Sequence, residues 1–279
     1  MIFVQSNGGQ LCNRIWSYTY WIAYSIHNSE SIFILDFQDY IPLFPNIDKL
    51  KRIKFIKSKK FRSLIETILP KILSIGSSCQ YEAQKKRNLL LLDGWEWRNE
   101  TTLINRYKNL LIEIFEPNQK IINRCNSIFQ PRKYNKTLIG VHIRRKDYHS
   151  FYNGIYYYNN DQYKRLMEET IHTLSTIGKK GFCFFLCSDD KIDTDEFLPF
   201  DCFKIPDATH IEDLYSLSLC DYIIGPPSTF SMWASFYGNV PLKIIDHPDA
   251  TFSVNDFKVI SAVDKFTDGS FFTHVTGNG

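Results

Sequence analysis

The 279-residue sequence lacks any run of about 18 consecutive apolar residues, so no segment reads as a membrane-spanning helix. It also lacks a strong charge of either sign. With 33 Lys and Arg against 30 Asp and Glu the net charge is +3, too small to make nucleic acid the default partner. There is no cysteine framework: seven Cys, an odd number at irregular spacing, argue for reduced thiols and a cytoplasmic setting. Cys183 and Cys187 have the spacing of a metal pair, but they sit inside the apolar run 182–187 with no matching His or Cys cluster, which makes them core residues. Met1-Ile2-Phe3-Val4-Gln5 runs directly into a polar, glycine-containing loop and reads as a first strand, not a leader. Internal repeats and low-complexity tracts are absent. An apolar fraction of 44% and a charged fraction of 23% then describe an ordinary globular chain of one or two domains.

What is present falls into two halves. Residues 2–5 form a short apolar run, and Leu11, Ile15, Tyr18, Ile22 and Ile26 recur at helical spacing. Residues 31–35, apolar from Ile32 to Leu35, read as a second buried strand that ends at Asp36. This predicts a β-α-β unit whose glycine turn, Gly8-Gly9-Gln10, opens a helix and can offer backbone N–H groups to an anion or a substrate oxygen. From 37 to 132 prolines and a basic stretch blur the pattern, with a strand expected over 89–92 and a helix over 103–115. The basic stretch holds Lys49, Lys51, Arg52, Lys54, Lys57, Lys59, Lys60 and Arg62 without an acidic residue among them. It reads either as a solvated face or as a peripheral contact with an anionic membrane surface. Beyond a polar, proline-containing boundary at 131–136, four apolar runs (138–143, 182–187, 222–225 and 242–245) alternate with helical stretches at 161–174 and 211–220. That alternation predicts a doubly wound parallel sheet, giving two domains, 1–132 and 133–279.

Ligands of such sheets bind outside the carboxyl ends of the strands. There the chain places His142-Ile143-Arg144-Arg145-Lys146-Asp147-Tyr148, Ser188-Asp189-Asp190, and Pro226-Pro227-Ser228-Thr229-Phe230-Ser231. A guanidinium grips phosphate bidentately, and Asp147 is close enough in sequence to orient one. Ser228 and Thr229 open a helix, a second anion-binding element. Two such elements on neighbouring strand ends suggest a diphosphate, and Asp213 can accept hydrogen bonds from a base bearing N–H groups.

These residues carry a resemblance. Gly140 to Tyr148 resembles the His-x-Arg-Arg-x-Asp-Tyr motif of the α-1,2-fucosyltransferases and, more loosely, that of the α-1,6- and protein O-fucosyltransferases. Tyr157-Tyr158, 161–164, 185–190, 213–221 and Ser228 to Trp233 follow in the family's order, and Gly8 to Arg14 is similar to its Gly-Gly-Leu-Gly-Asn loop. Cys12 stands in place of that loop's second Gly, Gly225-Pro226-Pro227 in place of a small polar approach to Ser228, and Met232-Trp233 where two tryptophans are frequent.

The resemblance implies an α/β type B glycosyltransferase, two Rossmann-like domains facing a central cleft. The N-terminal domain would bind a glycan acceptor and the C-terminal one GDP-fucose, without a required metal or cofactor. It implies that Arg144 grips the β-phosphate and stabilises departing GDP. His142, Arg145, Asp147, Asp189 and Asp213 would line the donor, and Ser228, Thr229 and Phe230 would hold the diphosphate and pack beside the sugar. Gly8, Gly9 and Asn13 would lie in the acceptor loop near it. The expected reaction is an inverting displacement onto a galactoside hydroxyl, in surface-polysaccharide assembly at the cytoplasmic membrane face. Asp36, Asp39 and Glu96 are the carboxylates of the acceptor half, none of them singled out as the base. The rivals are the same fold with another sugar nucleotide or linkage, and a divalent ion held by Asp189-Asp190 or Asp193-Thr194-Asp195. A nicotinamide oxidoreductase, disfavoured by the missing Gly-x-Gly-x-x-Gly, and a non-catalytic basic surface module complete the set.

Overall fold

Buried, β-branched and aromatic runs dictate the sheets. The computed structural model describes residues 2–6, 9–68, 90–94, 101–264 and 272–275. It divides into two units, Met1–Asn118 with Ser261–His274, and Gln119–Ile260 with Val275–Gly279.

The first unit opens with the expected β-α-β. β1 (Ile2–Gln5) is buried throughout, α1 (Leu11–Asn28) follows, and β2 (Ile32–Ile34) lies parallel to β1. β3 (Ile53–Phe55) and β4 (Leu90–Asp93) complete a parallel sheet in the order β3-β2-β1-β4. Leu11, Ile15, Tyr18 and Ile22 are buried as their spacing predicts, but so are Trp16, Trp21 and Tyr24, because α1 is covered on more than one side. It stops at Ser29, which takes the left-handed conformation and returns its N–H to Ser25 O. The basic stretch is not one loop. β3 lies inside it, with Ile53 and Phe55 buried and Lys54 exposed, and α2 (Lys59–Ile68) ends it. The helix expected over 103–115 is two, α3 (Thr101–Arg106) and α4 (Lys108–Ile114), broken at Tyr107 (φ −106°, ψ 15°).

In the second unit α5 (Gln119–Phe129) precedes β5 (Thr137–Ile143), whose seven residues are all buried. Next come α6 (Asn160–Ser175), β6 (Phe182–Ser188), β7 (Cys202–Phe203), α7 (His210–Leu217), β8 (Tyr222–Gly225), α8 (Thr229–Gly238) and β9 (Leu242–Ile244). The strands run parallel in the order β7-β6-β5-β8-β9. β7 is too short to show in the pattern of residues. Cys183 and Cys187 are core residues of β6, 1% and 3% exposed.

The boundary falls at 118/119 and not at 132/133. Phe129 of α5 meets Phe185 and Phe203 edge-on at 5.0 and 5.1 Å, and Arg124 pairs with Glu212 of α7 at 2.6 Å. The proline-containing stretch is therefore a turn inside the second unit, since the helix before it is packed onto β6 and β7. Because β6 and β8 flank β5 on opposite sides, the chain reverses its direction of travel at β5. That leaves a crevice beyond the carboxyl ends of β5 and β8.

Candidate active site

β5 is a continuous buried run, so its first polar side chains emerge where the strand ends. Arg144 is the pivot. Its Nη2 donates to Asp147 Oδ1 at 2.5 Å, and its Nη1 pairs with Asp189 Oδ2 at 3.1 Å. Its guanidinium lies over the Tyr148 ring, 5.0 Å from the centroid. Two carboxylates thus hold the guanidinium from two sides before any ligand arrives, with the Asp147 contact screened by solvent because that carboxylate is exposed. Arg144 Nε is buried without a hydrogen-bond partner among the described residues. Asp189 also clamps the loop, because its Oδ1 accepts Arg145 N–H at 2.9 Å. The β5–β6 pairing, Ile143 opposite Ser188, is what brings it there. Arg145 donates its own guanidinium to Asn160 Oδ1 at the start of α6, and Asn160 in turn donates to Glu196.

Tyr148 and Tyr163 are the residues that the motif contains or approaches without revealing their roles. Tyr163 OH accepts Arg144 N–H at 3.3 Å and donates to His142 O at 3.4 Å, a buried bracket under the loop. Tyr148 OH donates to Pro227 O, tying the end of β5 to the turn after β8. Their aromatic character was legible, but their partners lie 19 to 79 residues away.

His142 is 3% exposed and stacks on Phe230, with ring centroids 5.0 Å apart and planes at 28°. Burial, with Arg144 nearby, pushes its pKa down to about 3, so it is a neutral ring. Gly225 explains the unusual approach to Ser228. A Cβ there would stand 2.9 Å from both His142 Cβ and His142 O, so only glycine lets β8 pass. Ser228 caps α8, its Oγ accepting Phe230 N–H at 3.3 Å, and Thr229 is the first helical residue. The α8 N-terminus thus opens beside His142, and the positive end of the helix dipole favours an anion there.

A cleft of about 810 Å³ lies at the β6 side, lined among others by Lys146, Ser188, Asp189, Lys204, Asp207 and Asp213. Its size suits a nucleoside. Asp213 on α7 has its pKa raised to about 7 by burial and the neighbouring Glu212. Of the sequence-predicted donor residues, His142, Arg144, Arg145, Asp147, Phe230, Ser228 and Thr229 lie at the β5 and β8 ends, while Asp189 and Asp213 border this cleft.

In the first unit, Gly9 (φ +80°) adopts a conformation that favours glycine, and a Cβ there would meet Asn13 Nδ2 at 2.1 Å. Arg14 Nε donates to Gly9 O at 3.2 Å and Arg14 Nη1 pairs with Asp36 Oδ2 at 2.9 Å. Asp36 also accepts Ser6 N–H at 3.0 Å and the Tyr18 hydroxyl. Burial raises its pKa to about 6 against the pull of Ser6 N–H and Arg14. Asp36 is 2% exposed and its oxygens are engaged, so it shapes the loop. Asp39 is an exposed partner of Lys59 at 2.9 Å. Gly8 and Glu96 lie outside the described residues.

A family model described as Glycosyl transferase family 11 matches residues 97–260, more than half of the chain. The O-antigen biosynthesis glycosyltransferase WbnK of Escherichia coli is 23% identical over 169 residues, 56% of this chain and 54% of that protein. The chain thus spans about half the length of that curated relative. In fold it is similar to the α-1,6-fucosyltransferase NodZ, known from Bradyrhizobium and solved after soaking with GDP-fucose. That match has 16% identity, 90% and 97% coverage of the two chains, and a TM-score of 0.56. An Arabidopsis thaliana FUT1 variant in complex with GDP gives 11% identity, 92% and 73% coverage, and a TM-score of 0.60. These likenesses show the fold, the two Rossmann-like units of type B glycosyltransferases.

Proposed function

The chain belongs to glycosyl transferase family 11, and from that premise we propose that it transfers L-fucose from GDP-fucose to a hydroxyl of a glycan acceptor. The second unit would hold the donor and the first the acceptor. The observation that carries the reading is Arg144, held by Asp147 and Asp189 at the end of β5 and next to the helix N-terminus that follows β8. A nucleoside diphosphate needs a preorganised cation and N–H donors where its leaving oxygen gathers charge, and these elements supply both.

In this mechanism the acceptor oxygen forms its bond to the anomeric carbon as the bond to the β-phosphate oxygen breaks. The electron pair leaves with GDP, whose charge Arg144 and the α8 N–H groups neutralise. The acceptor proton passes to a base or to solvent. The stereochemical course is inversion, and the linkage we propose is α-1,2 to a galactoside. Asp213 accepts from the guanine N–H groups, His142 and Phe230 stack beside the sugar and diphosphate, and Arg145 and Asp147 complete the donor loop. Gly9 and Asn13, with Gly8, serve the acceptor side. We place the reaction in the cytoplasm and assign it no divalent ion, because Arg144 meets the charge and both Asp189 oxygens are already engaged.

The test is a thermal-shift titration with GDP-fucose, GDP-mannose, GDP, UDP-galactose and NAD⁺, with and without EDTA. A ligand at 100 times its Kd stabilises by about 2.7 kcal/mol. GDP compounds alone should raise the midpoint, regardless of EDTA, and GDP-fucose should turn over with a galactoside. A UDP-galactose or NAD⁺ response refutes the donor assignment, and loss of turnover in EDTA with recovery in Mn²⁺ refutes metal independence.

A further inference from the structure

The helix α2 buries none of its residues. Phe61, Leu64 and Ile68 sit at i, i+3 and i+7, one stripe of the helix, and are 44%, 52% and 63% exposed. Ile65, at the edge of that stripe, packs on the Phe3, Leu35 and Leu91 cluster, so the helix rests on the sheet along one side while its apolar ridge faces outward. Its other sides carry Lys59, Lys60 and Arg62, the last paired with Glu66 at 2.9 Å, and Lys51 and Arg52 just before β3 and Lys54 within it are exposed. An edge strand needs an exposed lysine to discourage pairing with another chain, which accounts for Lys54. It does not account for three large apolar side chains exposed on the next helix. Nor do all the lysines act as free charge: Lys57 pairs with Asp48 and Lys59 with Asp39, each at 2.8–2.9 Å. Among the described residues no ion pair engages Lys51, Lys54 or Lys60.

An apolar ridge bordered by lysines is the pattern of a helix that lies in the interface of an anionic bilayer, its ridge at the acyl boundary and its lysines at the headgroups. We propose that α2, with the basic edge formed by Lys51, Lys54 and Lys60, docks the first unit on an anionic lipid surface. A protein partner would explain the ridge, but Lys51, Lys54 and Lys60, which no ion pair engages among the described residues, favour a surface whose charge is uniformly negative. The contact belongs to the first unit and uses no residue assigned to the donor, so it holds or falls independently of the fucosyl assignment.

The experiment is co-sedimentation of the full chain with vesicles of phosphatidylglycerol and phosphatidylcholine, against vesicles of phosphatidylcholine alone. The chain should pellet with the anionic vesicles at about 0.05 M salt and be released at about 0.5 M. Each basic residue at such a surface is worth about a fivefold change in affinity, so Lys51→Gln, Lys54→Gln and Lys60→Gln together should weaken binding about a hundredfold. Leu64→Ser with Ile68→Ser, which leaves the charge untouched, should weaken it at least about tenfold. Both variants should keep the parent melting midpoint, since the altered side chains are exposed. Binding unaffected by the serine pair would overturn the proposal, as would a parent chain that stays in the supernatant at low salt. So would sedimentation velocity showing self-association through this face in the absence of vesicle binding.

Discussion

At the residue scale the site depends on how few freedoms Arg144 retains. Arg144→Ala should lower kcat for GDP-fucose about a hundredfold or more, because charge on the departing phosphate is largest in the transition state. Arg144→Lys should recover little of this, since an ammonium cannot satisfy Asp147 and Asp189 while presenting a planar pair of donors. Steady-state kinetics check both. Asp213 supplies a pH signature. Its folded pKa of about 7 lies above the ordinary carboxylate value of 3.8, so the fold favours its protonated form. That contribution to stability is complete below about 3.8 and is lost as the pH rises through about 7. A guanine N–H pair prefers the carboxylate, so GDP affinity should increase as the pH rises toward 7 and level off above it. Isothermal titration across pH 5.5–8 (a range of about 1.5 units below 7) should show this slope in the parent and a flat profile in Asp213→Asn. A parent profile equally flat would remove Asp213 from the base pocket. His142, held near 3, should add no step in that range.

Elements, not single side chains, set where these groups stand. The end of β5 is stitched to β6 by Asp189 and to the turn after β8 by Tyr148, so the loop is positioned by its neighbours in the sheet. Gly225→Ala forces a Cβ against His142, and the shift must be taken by β8 or by the His142–Phe230 stack. We expect a destabilisation of about 1–3 kcal/mol, typical of an overpacked core, together with weaker GDP binding. Denaturant melts and GDP titration of the same variant test it. Ser228→Ala removes the α8 cap at a cost of about 1 kcal/mol. The strand-end rule, applied to apolar runs, located β5, β6 and β8 and with them most of the residues proposed to hold the donor. It did not reveal that Asp189 supports Arg144, nor that Asn160 holds Arg145, because those partners meet only through the parallel register and the packing of α6.

Across the molecule the two units carry separate polar centres, one around Arg144 and the other around Asp36 and Arg14. GDP should therefore protect amides most strongly over 140–148, 186–190 and 225–231 in hydrogen exchange. Strongest protection in the first unit would contradict the assignment of the donor to the second. Periodicity and strand-end motifs by themselves determined the α/β class, the first β-α-β, four strands of the second sheet and the position of the Arg144-Arg145 pair at a strand end, because these follow from local spacing and from the direction of parallel strands. Resemblance in the motif order pointed to the family that the match over 97–260 then established. Only the tertiary structure decided where the second unit begins, since Phe129 and Arg124 attach α5 to β6, β7 and α7 across distances of 56 to 88 residues in sequence. It alone separated the basic stretch into an edge strand and a helix with an outward apolar ridge. Spacing records which residues share a face, whereas the partner of that face is settled by packing between segments distant in the chain.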